Sequence, residues 1–158
     1  MAADVVVLSI EELASRFARL AEDTARRAIG ERGRFSIAVP GGSAAERLLP
    51  SLVSAPIDWR RADVFWVDER MVPPDDPSSN YRLARSAWLD QVSIPQERIH
   101  RMPGDAPDPA AAGREYARLL RERLGEPARI DLVLLGMGED GHVASLFPGH
   151  RLLRVWDR

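Results

Sequence analysis

The chain has 158 residues and a mass of 17.6 kDa, enough for one domain that buries roughly two-thirds of its unfolded surface. Hydrophobic residues make up 45% and charged residues 29%, which argues against a disordered chain; 22 basic residues against 24 acidic ones leave a net charge of −2, so nothing electrostatic points to nucleic acid or an anionic membrane as partner. Every basic residue is Arg and there is no Cys, which excludes lysine Schiff bases, thiolate nucleophiles, disulfides and Cys-ligated metal.

Strand-like and helix-like segments alternate along the chain. The β-branched run Val5–Leu8 predicts a short strand and is far too short for a membrane span or a signal core, so the cytoplasm is the expected compartment. Ser9 and Glu12 have capping-box spacing, and Ile10, Leu13, Phe17, Leu20, Ala21 and Ala28 then recur at helical intervals until Gly30 and Gly33. Phe35–Val39 reads as a second strand, broken by Pro40-Gly41-Gly42-Ser43 and followed by a helix over Ala44–Leu49. Val64–Val67 is a third strand and ends at Asp68-Glu69-Arg70. The loop Val72–Asn80 leads to a helix through Leu83, Ala84, Ala87 and Trp88, with a further short strand around Arg98–Met102. The Pro/Ala/Asp-biased stretch Pro103–Ala112 reads as a surface loop before a helix over Arg114–Leu124, with Gly125 and Pro127 as its stop signal. Ile130–Leu135 is an apolar strand feeding Gly136-Met137-Gly138-Glu139-Asp140-Gly141-His142.

Strands apolar on both faces and alternating with helices predict an α/β fold, a mostly parallel sheet with helices on both faces. Ligands of such sheets bind outside the carboxyl ends of the strands. Three polar or glycine-rich loops stand there: Pro40–Ser43, Asp68–Arg70 and Gly136–His142. Gly41, Gly42 and Ser43 suit a phosphate held by backbone N–H groups and a hydroxyl, and equally suit a tight turn with Ser43 as N-cap. Asp68 and Arg70 suit a base or orienting carboxylate and an anion clamp, and equally a structural salt bridge. Gly136–Gly141 matches the G-x-G-x-x-G dinucleotide string, but that fingerprint requires a helix, another strand and an acidic residue about 20 positions on. Pro148-Gly149 interrupts any such helix, so NAD binding is excluded. His142 beside Asp140 suits a general base whose tautomer is fixed by a carboxylate. His150 lacks metal-ligand spacing, no metal site is expected, and His100 receives no role.

Taken together, Val64–Pro73 (VFWVDERMVP), Ser79-Asn80-Tyr81 and Asp131–Gly149 (DLVLLGMGEDGHVASLFPG) resemble the 6-phosphogluconolactonase family, with Gly41–Ser43 falling at that family's own Gly-Gly-Ser. The resemblance spans Ser9 to Gly149 and implies a Rossmann-like fold similar to glucosamine-6-phosphate deaminases, ribose-5-phosphate isomerases and CoA transferases. It implies one sugar-phosphate-binding domain over residues 1–158 and cofactor-free hydrolysis of 6-phospho-D-glucono-1,5-lactone in the oxidative pentose phosphate pathway. The implied partner is the small-molecule sugar phosphate, with no nucleic acid or membrane and no protein partner specified. The implied catalytic residues are His142, Asp140, Arg70 and Asp68, and the implied substrate or phosphate contacts are Gly41, Gly42, Ser43, Arg47, Gly138 and Gly141. His142 would take a proton from the attacking water and return it to the ring oxygen, Asp140 would orient the imidazole, and Arg70 or loop N–H groups would stabilise the oxyanion.

The alternative enzyme is a glucosamine-6-phosphate deaminase/isomerase-like protein, which resembles this chain at the Gly-Gly-Ser and Gly-His loops. Deaminases typically carry Asp-Glu-Tyr where Asp68-Glu69-Arg70 stands, and Asn-Glu-Pro-Gly where Ser145–Gly149 stands, and both differences favour the lactonase. Family members continue beyond the Phe-Pro-Gly motif, where a further Lys and additional strands are expected, so this chain is expected to leave a sheet edge unpaired. A non-catalytic sugar-phosphate sensor and an inactive remnant are the remaining alternatives.

Overall fold

The structure is a computed structural model that describes residues 4–155. Its first helix, α1 (Ile10–Arg32), starts at the expected capping box, with Ser9 and Glu12 exchanging side-chain and backbone hydrogen bonds. Gly30 lies inside it, and the helix stops at Gly33, whose φ of 74° is the left-handed conformation in which glycine avoids a Cβ penalty.

Strands β1 (Phe35–Val39), β2 (Ala62–Trp66), β3 (Ile99–His100) and β4 (Leu132–Val133) form one parallel sheet in the order β3-β2-β1-β4. Helices α2 (Gly42–Leu48) and α3 (Asn80–Ala87) make the crossovers from β1 to β2 and from β2 to β3. After β3, helix α4 (Pro109–Leu124) carries the chain back across the sheet to place β4 on the other side of β1. The strand order therefore reverses between β1 and β4, and this switch point positions the site.

Both faces of the two central strands are buried, as their mostly apolar character predicts, with Ser36 and Asp63 the two polar residues among them. Phe35, Ile37, Val39, Ala62, Val64 and Trp66 face a core shared with α1, α2 and α3, whereas Ala38 and Phe65 face Tyr116 and its neighbours on α4. The alternating residues of one strand thus go to opposite layers. Polar groups lock the second layer in place. The Tyr116 hydroxyl donates to the His100 carbonyl at 3.0 Å and accepts the Trp66 N–H at 3.1 Å. Burial pushes the Asp63 carboxyl up, but His100 and Arg98, each 2.8 Å from one of its oxygens, outweigh burial and hold it below the usual carboxylate range. His100, which the sequence reading left without a role, is therefore a core residue.

Several expected boundaries move. Val5–Leu8 is not a strand: it has no pairing partner among the described residues and Val5 and Val7 are 84% and 93% exposed, since β-branched residues favour an extended chain but only a neighbouring strand makes it a sheet. The strand expected over Ile130–Leu135 pairs only at Leu132–Val133, on the sheet edge, with Val133 and Leu135 exposed on the open side. Asp131 fixes its start, accepting the Ser36 N–H and hydroxyl at 2.8 Å each. Helix α4 begins at Pro109 rather than Arg114 because Asp108 caps it, accepting from the N–H groups of Ala110 and Ala111, with Pro109 in the first turn. Helix α2 begins at Gly42 rather than Ala44, with Gly41 as its N-cap.

Candidate active site

The turn after β1 and the loop after β4 meet at the switch point around a cavity of about 490 Å³, a volume suited to a small metabolite. Gly41, Gly42, Ser43 and Arg47 line one side, Asp68, Arg70 and Asn80 a second, and Gly136, Met137, Gly138, His142 and Ala144 a third. The side chains of Ile10 and Leu13 bring an apolar contribution from α1. Eight expected site residues thus line one space. Asp140 and Gly141 do not: Asp140 stands behind His142, and Gly141 occupies a turn at φ 85°, its N–H bonded to the Gly138 carbonyl. Gly141 shapes the loop and does not line the cavity.

The histidine loop is built for one imidazole orientation. Asp140 Oδ1 lies 2.6 Å from His142 Nδ1 and also accepts the His142 backbone N–H at 3.2 Å. The backbone N–H of His142, followed by its ring, holds the Asp140 carboxyl below the usual carboxylate range. An anion on Nδ1 selects the tautomer with its proton there and leaves Nε2 as the basic nitrogen. The imidazole also packs on Phe147, with ring centroids 4.7 Å apart. Gly138 makes room for the pair, because a Cβ there would stand 2.2 Å from His142 Cε1 and 2.9 Å from Asp140 Oδ1.

The Asp68-Glu69-Arg70 triplet divides its work. Glu69 accepts the N–H groups of Arg70, Asn80 and Tyr81 at 2.7 to 2.9 Å and the Ser79 hydroxyl at 3.1 Å, so it anchors the start of α3. Asp68 accepts from Asn80 Nδ2 at 3.2 Å and from the Ser145 hydroxyl at 2.8 Å. Arg70 carries no ion pair among the described residues, and neither does Arg47. The salt bridge considered for the triplet is therefore not formed, and both guanidiniums stand at the cavity without an ion pair among the described residues. Ser43 is not the N-cap of α2, and Gly41 in that position makes no side-chain cap.

Sequence reading missed Asn80 and Ser145 as site residues. Asn80 packs so closely on Gly41 that a Cβ there would stand 1.7 Å from Asn80 Oδ1, and it donates to the Asp68 carbonyl at 3.0 Å. Both residues lie inside the strings that carried the family resemblance, and that was the available signal.

The fold and site define a Rossmann-like α/β protein whose polar cavity lies at the carboxyl edge of a parallel sheet, at its switch point. The family model for glucosamine-6-phosphate isomerases/6-phosphogluconolactonase matches residues 9–158, and the chain belongs to that family. It is 45% identical to the 6-phosphogluconolactonase of Nostoc sp. over 135 residues, covering 83% of this chain and 56% of that protein. Its structure resembles the 6-phosphogluconolactonase from Trypanosoma cruzi with a TM-score of 0.79 at 29% identity, covering 93% of this chain and 62% of that one. A monomeric glucosamine-6-phosphate deaminase shares the fold, with a TM-score of 0.74 at 24% identity over 87% of this chain and 56% of its own. The chain spans a little over half the length of the curated 6-phosphogluconolactonases of Nostoc sp. and Synechocystis sp.. Among the described residues no helix is long and apolar enough to cross a membrane.

Proposed function

We propose that residues 1–158 form a sugar-phosphate-binding domain that hydrolyses 6-phospho-D-glucono-1,5-lactone to 6-phosphogluconate without a cofactor. One observation carries the reading: an imidazole oriented by a carboxylate shares a cavity with two guanidiniums that have no carboxylate partner among the described residues. That combination supplies a base for water and positive charge for a phosphate and an oxyanion. The cytoplasm is the proposed compartment, since a phosphorylated lactone is ionic and does not cross a bilayer unaided.

In this mechanism His142 Nε2 accepts a proton from water as its oxygen attacks the lactone carbonyl. Asp140 stabilises the resulting imidazolium and keeps its ring aimed. The tetrahedral intermediate carries its negative charge on the former carbonyl oxygen, where Arg70 or loop N–H groups serve as donors; one such donor is worth roughly 3 kcal/mol. Collapse breaks the bond to the ring oxygen, which takes the proton back from His142, so water is consumed and the base is regenerated. Gly41, Gly42, Ser43 and Arg47 hold the 6-phosphate, Gly138 meets the substrate with its backbone where it lines the cavity, and Asp68 orients rather than transfers protons. Arg70 in place of tyrosine, and Ser145–Gly149 in place of the deaminase ending, support the lactonase over the deaminase.

The test compares freshly generated 6-phosphogluconolactone with unphosphorylated gluconolactone, each corrected for spontaneous opening. Acceleration confined to the phosphorylated lactone supports the proposal. Tight binding of 6-phosphogluconate with no acceleration would make the protein a sensor instead.

A further inference from the structure

The loop that presents His142 contains a backbone conformation its sequence does not favour. Val143 and Leu146 exchange N–H···O bonds of 3.3 and 3.0 Å, closing a two-residue turn with Ala144 and Ser145 at its tip. Ala144 has φ 51°, the only positive φ of a non-glycine residue among those described. Hairpin turns of this length demand a positive φ at the first tip position and select glycine for it, because a Cβ crowds the following carbonyl. Something outside the turn must hold Ala144 there.

The neighbouring tip residue supplies that hold. Ser145 Oγ donates to Asp68 Oδ2 at 2.8 Å, joining the loop after β4 to the loop after β2. Asp68 is itself fixed, since Asn80 Nδ2 binds both its carbonyl and its Oδ1, and Asn80 is seated against Gly41. A continuous set of contacts therefore runs from the β1 turn through Asn80 and Asp68 to Ser145, three residues from His142. We propose that Ser145 is a positioning residue: its hydrogen bond to Asp68 pins the strained Ala144 turn and thereby keeps the His142 imidazole aimed into the cavity. The kinetic part of this proposal rests on the lactonase reading.

The test uses the 158-residue chain with Ser145→Ala, Ser145→Thr, and Ser145→Ala combined with Ala144→Gly. Ser145→Ala is expected to lower kcat about tenfold or more, the scale on which sub-ångström misplacement of a catalytic group acts, while KM changes less than about twofold. Ser145→Thr keeps the hydroxyl and restores the rate, and Ala144→Gly recovers part of the loss by relieving the turn. The Cε1–H and Cδ2–H resonances of His142 should shift in Ser145→Ala and return in Ser145→Thr, at an unchanged melting temperature. Wild-type kcat together with unmoved His142 resonances in Ser145→Ala would overturn the proposal. If the wild-type chain shows no lactonase activity, the functional reading fails, and the resonances still decide the role of Ser145.

Discussion

The His142 ring stands against Gly138 where a Cβ would otherwise project, so that such a Cβ would lie 2.2 Å from Cε1 and 2.3 Å from Nδ1. Gly138, the second glycine of the short G-x-G string, is thus a seat for an imidazole. Gly138→Ala should displace the ring and lower kcat/KM about a hundredfold, with the far-UV spectrum and unfolding transition preserved. Unchanged kinetics in that variant would mean that the His142–Asp140 pair is not the working arrangement.

Glu69 is a structural carboxylate at the edge of the cavity. It collects two backbone N–H groups and one hydroxyl at the start of α3, together with the N–H of Arg70. Glu69→Ala leaves those donors without a common acceptor and should cost about 1–3 kcal/mol, read as a lowered midpoint in urea. Asn80 then loses its support, so KM or kcat worsens as a consequence of the loosened helix.

Tyr116 gives the fold an alkaline limit. Burial pushes its phenol from 10.0 up to about 12, with the Trp66 N–H acting in the opposite direction. A group whose folded value is raised contributes stability fully present below its unfolded value and lost as pH rises through the folded one. Stability should fall by about 2–3 kcal/mol between pH ~10 and ~12. Tyr116→Phe should lack that phase, and should be less stable at neutral pH because the buried Trp66 N–H loses its acceptor, a cost of about 1–3 kcal/mol. Urea titrations at pH 8 and 11 on both proteins check the sign.

Arg47 lies on α2, beyond the Gly41–Ser43 turn, and lines the cavity without an ion pair among the described residues. Arg47→Ala should raise KM for the phosphorylated lactone about ten- to a hundredfold, the value of one charge-assisted contact, and leave kcat within about threefold. A fall in kcat at constant KM would move Arg47 from phosphate binding to the reacting carbonyl.

Much of this organisation was legible in the sequence because periodicity and punctuation are local. The capping box at Ser9, the two buried strands and the glycine stops at Gly33 and Gly125 could be placed from neighbours alone. The convergence of three loops followed from parallel strands, and all three supply walls of one cavity. What failed depends on distant partners. Val5–Leu8 has strand propensity but no strand beside it among the described residues, and Leu132–Val133 is paired over only two residues at an edge. The Asp68–Ser145 bond joins positions far apart in the chain, and the Asn80–Gly41 contact depends on the exact seating of α3. The left-handed Ala144 is concealed because alanine rarely takes that conformation.

The proposed mechanism rests on His142 as its base. The measurement is the initial rate of 6-phosphogluconolactone hydrolysis by the wild-type chain and by His142→Ala, after subtraction of the spontaneous rate. That role predicts acceleration by the wild type and a loss of about 10²- to 10⁴-fold in the variant. Equal acceleration by both proteins would contradict it.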